Sequence, residues 1–231
     1  MAKLISISSQ KGGVGKTTFT MLLATYLHNT GFRVGIIDAD YPQHSIVKIR
    51  KQELLQLESS EDIKQAFEEK GLAPLEVVSG KVSDVARLVG KLRADTQKDL
   101  WFIDLPGTLN IEGIVEVAAA LDSIIIPTEM DKKTFTSTFE TFAFYRKNGN
   151  PNQQVGMFWN RMKHRENRST KDVANKMAQE KYGITLIKQE LGDLVGIKRS
   201  SSTLFPSEEA AFIEFVGELQ RVGFLAELVH G

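Results

Sequence analysis

Gln10-Lys11-Gly12-Gly13-Val14-Gly15-Lys16-Thr17-Thr18 is the stretch on which the reading of this chain turns. Apolar, strand-like sequence at Leu4–Ser8 runs into it, and an amphipathic stretch from Lys16 to Asn29 leaves it and stops at Gly31. Glycines take positive φ without a side-chain clash, so several amide N–H groups can turn into one concavity and hold phosphate oxygens. The helix that opens at Lys16 aims its positive end at the same anion. The motif predicts a triphosphate site: amides of Gly12, Gly13, Val14 and Gly15 around the phosphates, Lys16 on the β- and γ-phosphates, Thr17 on Mg²⁺, and Thr18 toward the α-phosphate. The common phosphate loop has a glycine where Gln10 stands, and here a second lysine, Lys11, precedes the glycines.

Outward from the loop, short apolar runs alternate with longer amphipathic ones. Leu4–Ser8, Arg33–Ile37, Leu75–Val78, Leu100–Ile103, Ser123–Pro127, Gln154–Trp159 and Ile184–Lys188 read as strands. Most lack polar alternation, as strands buried on both faces do. Lys16–Asn29, Val82–Arg93, Thr134–Lys147, Thr170–Tyr182 and Glu208–Val229 read as helices. Phe135, Phe139 and Phe142 recur at helical spacing, which suits a buried helix face better than a ligand surface. Alternating strands and helices predict an α/β fold: a parallel twisted sheet with helices on both faces, three layers in all, over a single domain spanning residues 1–231.

Two acidic motifs end strands. Asp38-Ala39-Asp40-Tyr41-Pro42-Gln43 follows the second, and ligands of open parallel sheets sit outside the carboxyl ends of strands. Leu100-Trp101-Phe102-Ile103-Asp104-Leu105-Pro106-Gly107 is an apolar strand ending in an acid, followed by a loop that Pro106 and Gly107 leave mobile. Asn160 ends a further apolar strand.

The Lys-Gly-Gly-x-Gly-Lys-Thr form with Lys11 resembles the deviant Walker A loop of the ParA/MinD group of P-loop ATPases. The resemblance implies ATP and Mg²⁺ as cofactors, slow hydrolysis, and an ATP-dependent homodimer in which Lys11 reaches the partner's nucleotide, as an arginine finger does. It implies that Asp40 orients the attacking water, that Asp38 lies near the Mg²⁺ waters, and that Asp104 accepts from Mg²⁺-bound water. Tyr41 is one residue more than the family's Asp-x-Asp-Pro-Gln pattern has, which leaves open which aspartate holds the water. Asn160 on one side and the segment of Pro206 on the other are the family's places for the adenine; helix capping and a turn are the alternatives.

Gln10 and the Pro42-Gln43 pair resemble the ParA branch, and the little chain before Lys3 suits its short type. That branch partitions plasmids, chromosomes or mobile elements through non-specific DNA binding and a stimulating ParB-like partner. The most basic segment holds Lys163, Arg165, Arg168 and Lys171, with Lys198 and Arg199 adding to it; it is either a phosphate-contacting patch or a solvated loop. A membrane-targeted, MinD-like positioning ATPase is the alternative. It needs a basic amphipathic C-terminal helix, whereas this one carries Glu208, Glu209, Glu214, Glu218 and Glu227, so a helix packed on the domain is expected. A metabolic ATP-dependent enzyme on the same fold is a third class.

Composition fits these readings. There are 29 basic and 29 acidic residues, so any DNA contact must be local. No cysteine is present, which rules out a thiolate-held iron–sulfur cluster within these 231 residues. No apolar run is long enough for a membrane span and no signal peptide is evident, so a cytoplasmic, nucleoid-associated protein is expected.

Overall fold

A computed structural model describes residues 1–162, 168–192 and 201–225. In chain order the elements are β1 (Lys3–Ile7), α1 (Lys16–Asn29), β2 (Val34–Asp38), α2 (Ser45–Ser59), α3 (Glu61–Glu69), β3 (Glu76–Ser79), α4 (Val82–Ala94) and β4 (Leu100–Asp104). They continue as α5 (Ile114–Ala120), β5 (Ser123–Thr128), α6 (Lys132–Asn148), β6 (Gln154–Trp159), α7 (Arg168–Tyr182), β7 (Thr185–Leu186) and α8 (Ala210–Arg221). The seven strands form one sheet in the order β3-β2-β4-β1-β5-β6-β7, and every pairing is parallel.

This order puts β1 at the centre, so the loop leaving it opens between β4 and β5. The register sets Asp38 directly opposite Asp104, both at the last position of their strands. Two acids from well-separated parts of the sequence thereby meet on the edge where the phosphate loop lies.

Each face of the sheet has its own apolar layer. Residues of α1 and α8 cover one, with Phe19, Leu23, Phe212 and Phe215 packed against Phe158 and Ile5. Residues of α4 to α7 cover the other, around Trp101, Ile103, Phe142 and Trp159. Strands β2, β4 and β5 are buried throughout, which explains why they show no polar alternation. The phenylalanine stripe of α6 is core: Phe142 is wholly buried, and Phe135 packs edge-on to Trp159 with ring centroids 5.5 Å apart. Gly35 is a close approach, because the Trp101 ring of the neighbouring strand occupies the place of a β-carbon.

The expected strands all form, and the last shrinks to a two-residue pairing on β6. Three further helices form that were not expected from the sequence. Helix α2 buries only Ile46 and Arg50, so it lacks an apolar stripe; α3 buries only Phe67; α5 is seven residues long. Helix α8 ends at Arg221 rather than running to Val229, since Gly223 turns the chain at φ 83°. Its apolar face is spent on the core, with Phe212, Phe215, Val216 and Leu219 buried. Among the described residues no helix is long and apolar enough to cross a membrane.

Candidate functional site

The phosphate loop leaves β1 and enters α1 through Gly15, whose φ is 104°; Gly13 also has a positive φ, 76°. A β-carbon added at Gly12 or Gly13 would meet nothing within 4 Å, so the mouth of the loop is open space. At Gly15 the same addition presses on Phe19 at 3.2 Å and on Asn160 at 3.3 Å. Helix α1 has no side-chain N-cap and no acid in its first turn. Its positive end therefore faces the open mouth uncompensated, the arrangement an anion needs.

The floor of the site is acidic and dry. Asp104 is 1% exposed and accepts from the Thr17 hydroxyl at 2.9 Å and from Thr20 at 3.5 Å. Burial pushes its carboxyl up to about 7, with the charges of Asp38 and Asp40 adding and the Thr17 bond and Lys16 opposing. Burial also lowers the Lys16 ammonium, against the pull of Asp104 and Asp40. Asp40, half-buried, is raised by desolvation and by Asp38, with Lys16 opposing. The Lys16 Nζ lies 3.4 Å from where a Gly107 β-carbon would stand, so the loop after β4 closes over it. Asp38 is fully buried, and its Oδ2 accepts from the amides of Ile46 at 2.9 Å and Val47 at 3.1 Å. It anchors the N-terminus of α2 while standing beside Asp104.

Lys11 lies on the rim. Its Nζ donates to Asp131 at 2.6 Å, to Glu129 at 3.3 Å and to the Thr134 hydroxyl. Glu129 is held in turn by Arg161 at 2.8 Å. Burial alone would lower the Lys11 ammonium, but the bonds to Asp131 and Glu129 outweigh it and raise it. Burial likewise works against the Asp131 carboxylate, yet Lys11 and Thr134 hold it well below the usual range.

The remaining expected residues scatter. Asn160 is buried; its Nδ2 donates to the Val14 carbonyl at 2.9 Å and its Oδ1 accepts from the Arg161 amide at 3.0 Å. Its amide thus braces the phosphate loop from beneath. Pro206 lines a pocket with Lys70, Phe205, Glu208 and Glu209. Lys163, Arg165, Lys198 and Arg199 lie outside the described residues, and Arg168 is placed only by its backbone at the start of α7. Lys171 pairs with Glu190, and its side chain is 18% exposed.

Sequence reasoning missed the acidic clasp around Lys11. Glu129-Met130-Asp131 directly follows β5, which neighbours β1 in the sheet, and that adjacency was the missing signal. It also missed the hydroxyl row of α6. Thr138 meets Thr128 at 2.8 Å, Thr141 accepts from the Gln10 amide at 3.4 Å, and Tyr145 donates to Ser8 at 2.8 Å. One side of α6 is phenylalanine, and the other fastens the phosphate loop.

Comparison with known proteins agrees with this geometry. A family model described as ParA: NUBPL iron-transfer P-loop NTPase matches residues 1–94. An iron–sulfur cluster carrier protein of Rickettsia prowazekii is 27% identical over 164 residues, covering 64% of this chain and 51% of that protein. The chain spans about half, or less, of the length of the curated relatives it matches. Among solved structures, the MinD cell division protein of Aquifex aeolicus superposes with a TM-score of 0.67 at 19% identity, over 96% of this chain and 97% of that one. A putative plasmid partition protein of Borrelia burgdorferi bound to AMPPNP gives 0.66 at 21% identity, over 95% and 97%. The chain has the ParA/MinD P-loop NTPase fold.

Proposed function

We propose that this protein is an ATP-driven switch that dimerises around Mg²⁺–ATP and is reset by slow hydrolysis. The observation that carries the reading is the division of labour between two lysines of one loop. Lys16 points inward, with Asp104 and Asp40 pulling on its charge. Lys11 points outward onto the rim, where a second copy can meet it. Gly12, Gly13, Val14 and Gly15 supply amides to the phosphates, with Thr18 beside them. Thr17 and Asp104, already bonded to each other, suit a Mg²⁺ that keeps much of its water, with Asp38 behind them. Asp40 orients the attacking water. Lys11 leaves Glu129 and Asp131 to offset charge on the partner's phosphates. Size-exclusion chromatography with light scattering tests this. Wild type is expected to become dimeric with ATP and Mg²⁺, and Lys11→Ala to stay monomeric while still binding nucleotide. A Lys11→Ala dimer of wild-type affinity refutes it.

For the work the switch performs, we favour DNA partitioning or positioning, with a ParB-like or other protein stimulating hydrolysis. Gln10 and Pro42-Gln43 support it. The names of the curated relatives favour a second reading, iron–sulfur cluster carriage. Two facts weigh against it. The matching family model covers the nucleotide-binding part, residues 1–94, and no cysteine stands anywhere in the 231 residues to hold a cluster. Gel-shift titration of duplex DNA with and without ATP, beside iron and sulfide analysis of purified protein, separates the two. ATP-dependent retardation supports partitioning; stoichiometric iron and sulfide support carriage.

A further inference from the structure

The loop that carries Asp40 leaves the sheet at Asp38 and re-enters regular structure at Ser45. Its outgoing end is fixed by strand pairing, and its returning end by α2, whose Lys48 amide donates to the His44 carbonyl at 3.1 Å. Between them the chain folds back on itself. The His44 amide donates to the Asp40 carbonyl at 2.9 Å. The His44 ring then reaches further back, with Nδ1 3.1 Å from the Asp38 carbonyl oxygen and 3.6 Å from Asp38 Oδ1. Both are acceptors, so Nδ1 carries the hydrogen. Tyr41 closes the outside, its ring edge-on to His44 with centroids 5.7 Å apart.

His44 does this from a backbone conformation that disfavours it. Its φ is 42°, in the left-handed region where glycine and asparagine sit most easily. A histidine placed there contributes through its ring. Without the Nδ1 bond, the turn bearing Asp40 keeps its main-chain contact and the Asp38 carboxylate's bonds to the Asp40, Ile46 and Val47 amides, and loses the ring's own tie to the strand end beside Asp104.

We propose that His44 is the positioning residue of this loop: its Nδ1–H, bonded to the Asp38 carbonyl, holds the turn at the height from which Asp40 meets Lys16 and the reacting phosphate. This rests on the reading of Asp40 as the group that orients water. Misplacing a reacting group by about 1 Å costs on the order of a hundredfold in rate, so a loosened turn lowers kcat far more than nucleotide affinity.

Four variants of the full chain, Asp40→Asn, His44→Gly, His44→Ala and His44→Asn, test the proposal by steady-state ATP hydrolysis and by the Kd for Mg²⁺–ATP. Glycine relieves the positive φ and removes the ring, so a purely conformational role predicts wild-type turnover. Asparagine keeps the left-handed backbone and sets its Nδ2 where Nδ1 stands. The expected result is kcat down about tenfold to a hundredfold in His44→Gly and His44→Ala, Kd within about twofold, and most of kcat restored in His44→Asn. Wild-type kcat in His44→Gly beside a slow Asp40→Asn overturns the role of His44 alone. Wild-type kcat in Asp40→Asn overturns the reading of Asp40 and this inference with it.

Discussion

The floor and the rim of the phosphate loop are five residues apart and electrically opposite. On the floor, Lys16 is desolvated, and among the described residues no carboxylate lies within ion-pair distance of it. On the rim, Lys11 already has two carboxylates and a hydroxyl. Phosphate arriving at the floor gains a cation that feels Asp104 and Asp40 only at a distance and is not held in an ion pair. Phosphate recruiting the rim lysine must compete with Asp131 and Glu129. The same residue type in one loop thus serves as a ready ligand in one place and a restrained one in the other. On the proposed reading, cis binding of nucleotide is expected to precede any use of Lys11 in trans.

The widest gap between the two regions is expected from removing each lysine. Lys16→Ala should weaken Mg²⁺–ATP binding by about a thousandfold, the scale of losing a preorganised cation on phosphate. Lys11→Ala should leave that binding near wild type in calorimetry. Comparable losses in both would erase the distinction. Next in size is Asp40→Ala, expected to slow hydrolysis by about a hundredfold, as loss of a water-orienting group does, and to prolong the ATP-bound dimer. Analytical ultracentrifugation under saturating ATP checks it; a dissociated Asp40→Ala protein contradicts the assignment.

The floor was far more legible in the sequence than the rim. Gly12 to Thr18 are contiguous, and their chemistry follows from backbone conformation and the start of a helix. Asp38, Asp40 and Asp104 were legible because each ends an apolar strand or directly follows one, and parallel strands end on one edge. The clasp joins Lys11 to residues about 120 positions away, a pairing that exists only because β1 and β5 are neighbours. His44 was illegible for another reason. Its role lies in a left-handed backbone and a ring folded back onto the chain, which no periodicity encodes. Asn160 was legible only as the polar end of an apolar strand; that its amide donates to the Val14 carbonyl follows from β6 ending beside the phosphate loop, which no local pattern encodes.

Titration sharpens the contrast on the floor. The Asp104 carboxyl stands at about 7, against 3.8 for the free side chain. Between those values the folded protein holds a proton that the unfolded chain has lost. Its contribution to stability is thus present in full below pH 3.8 and is lost as pH rises through about 7. Asp104→Asn removes the buried charge, so the nucleotide-free variant should be more stable than wild type at pH 8 in denaturant unfolding, by an amount on the order of a few kcal/mol. Mg²⁺ competes with the same proton, so wild-type Mg²⁺–nucleotide affinity should rise about tenfold per pH unit up to 7 and then level. The variant should bind Mg²⁺–nucleotide weakly and with a flat profile. A wild-type profile that is flat from pH 5.5 to 8 means that Asp104 does not touch the metal's shell.

The smallest effect probes the rim. Asp131 is nearly half exposed, so solvent screens its attraction for Lys11, and partly exposed pairs contribute little. Asp131→Asn keeps a side chain that can still accept from Lys11 while removing one charge. It should lower the concentration needed for ATP-dependent dimerisation by about two- to fivefold, because less must be broken before Lys11 can cross. Glu129→Gln should do less, since Arg161 already shares that carboxylate and the Lys11 contact is longer. The ordering of the two variants matters more than their size. If Glu129→Gln exceeded Asp131→Asn, the restraint on Lys11 would run through Arg161 and the strand end at Thr128 rather than through the first turn of α6. A partner that loosens the rim would then act from β6 and its following loop.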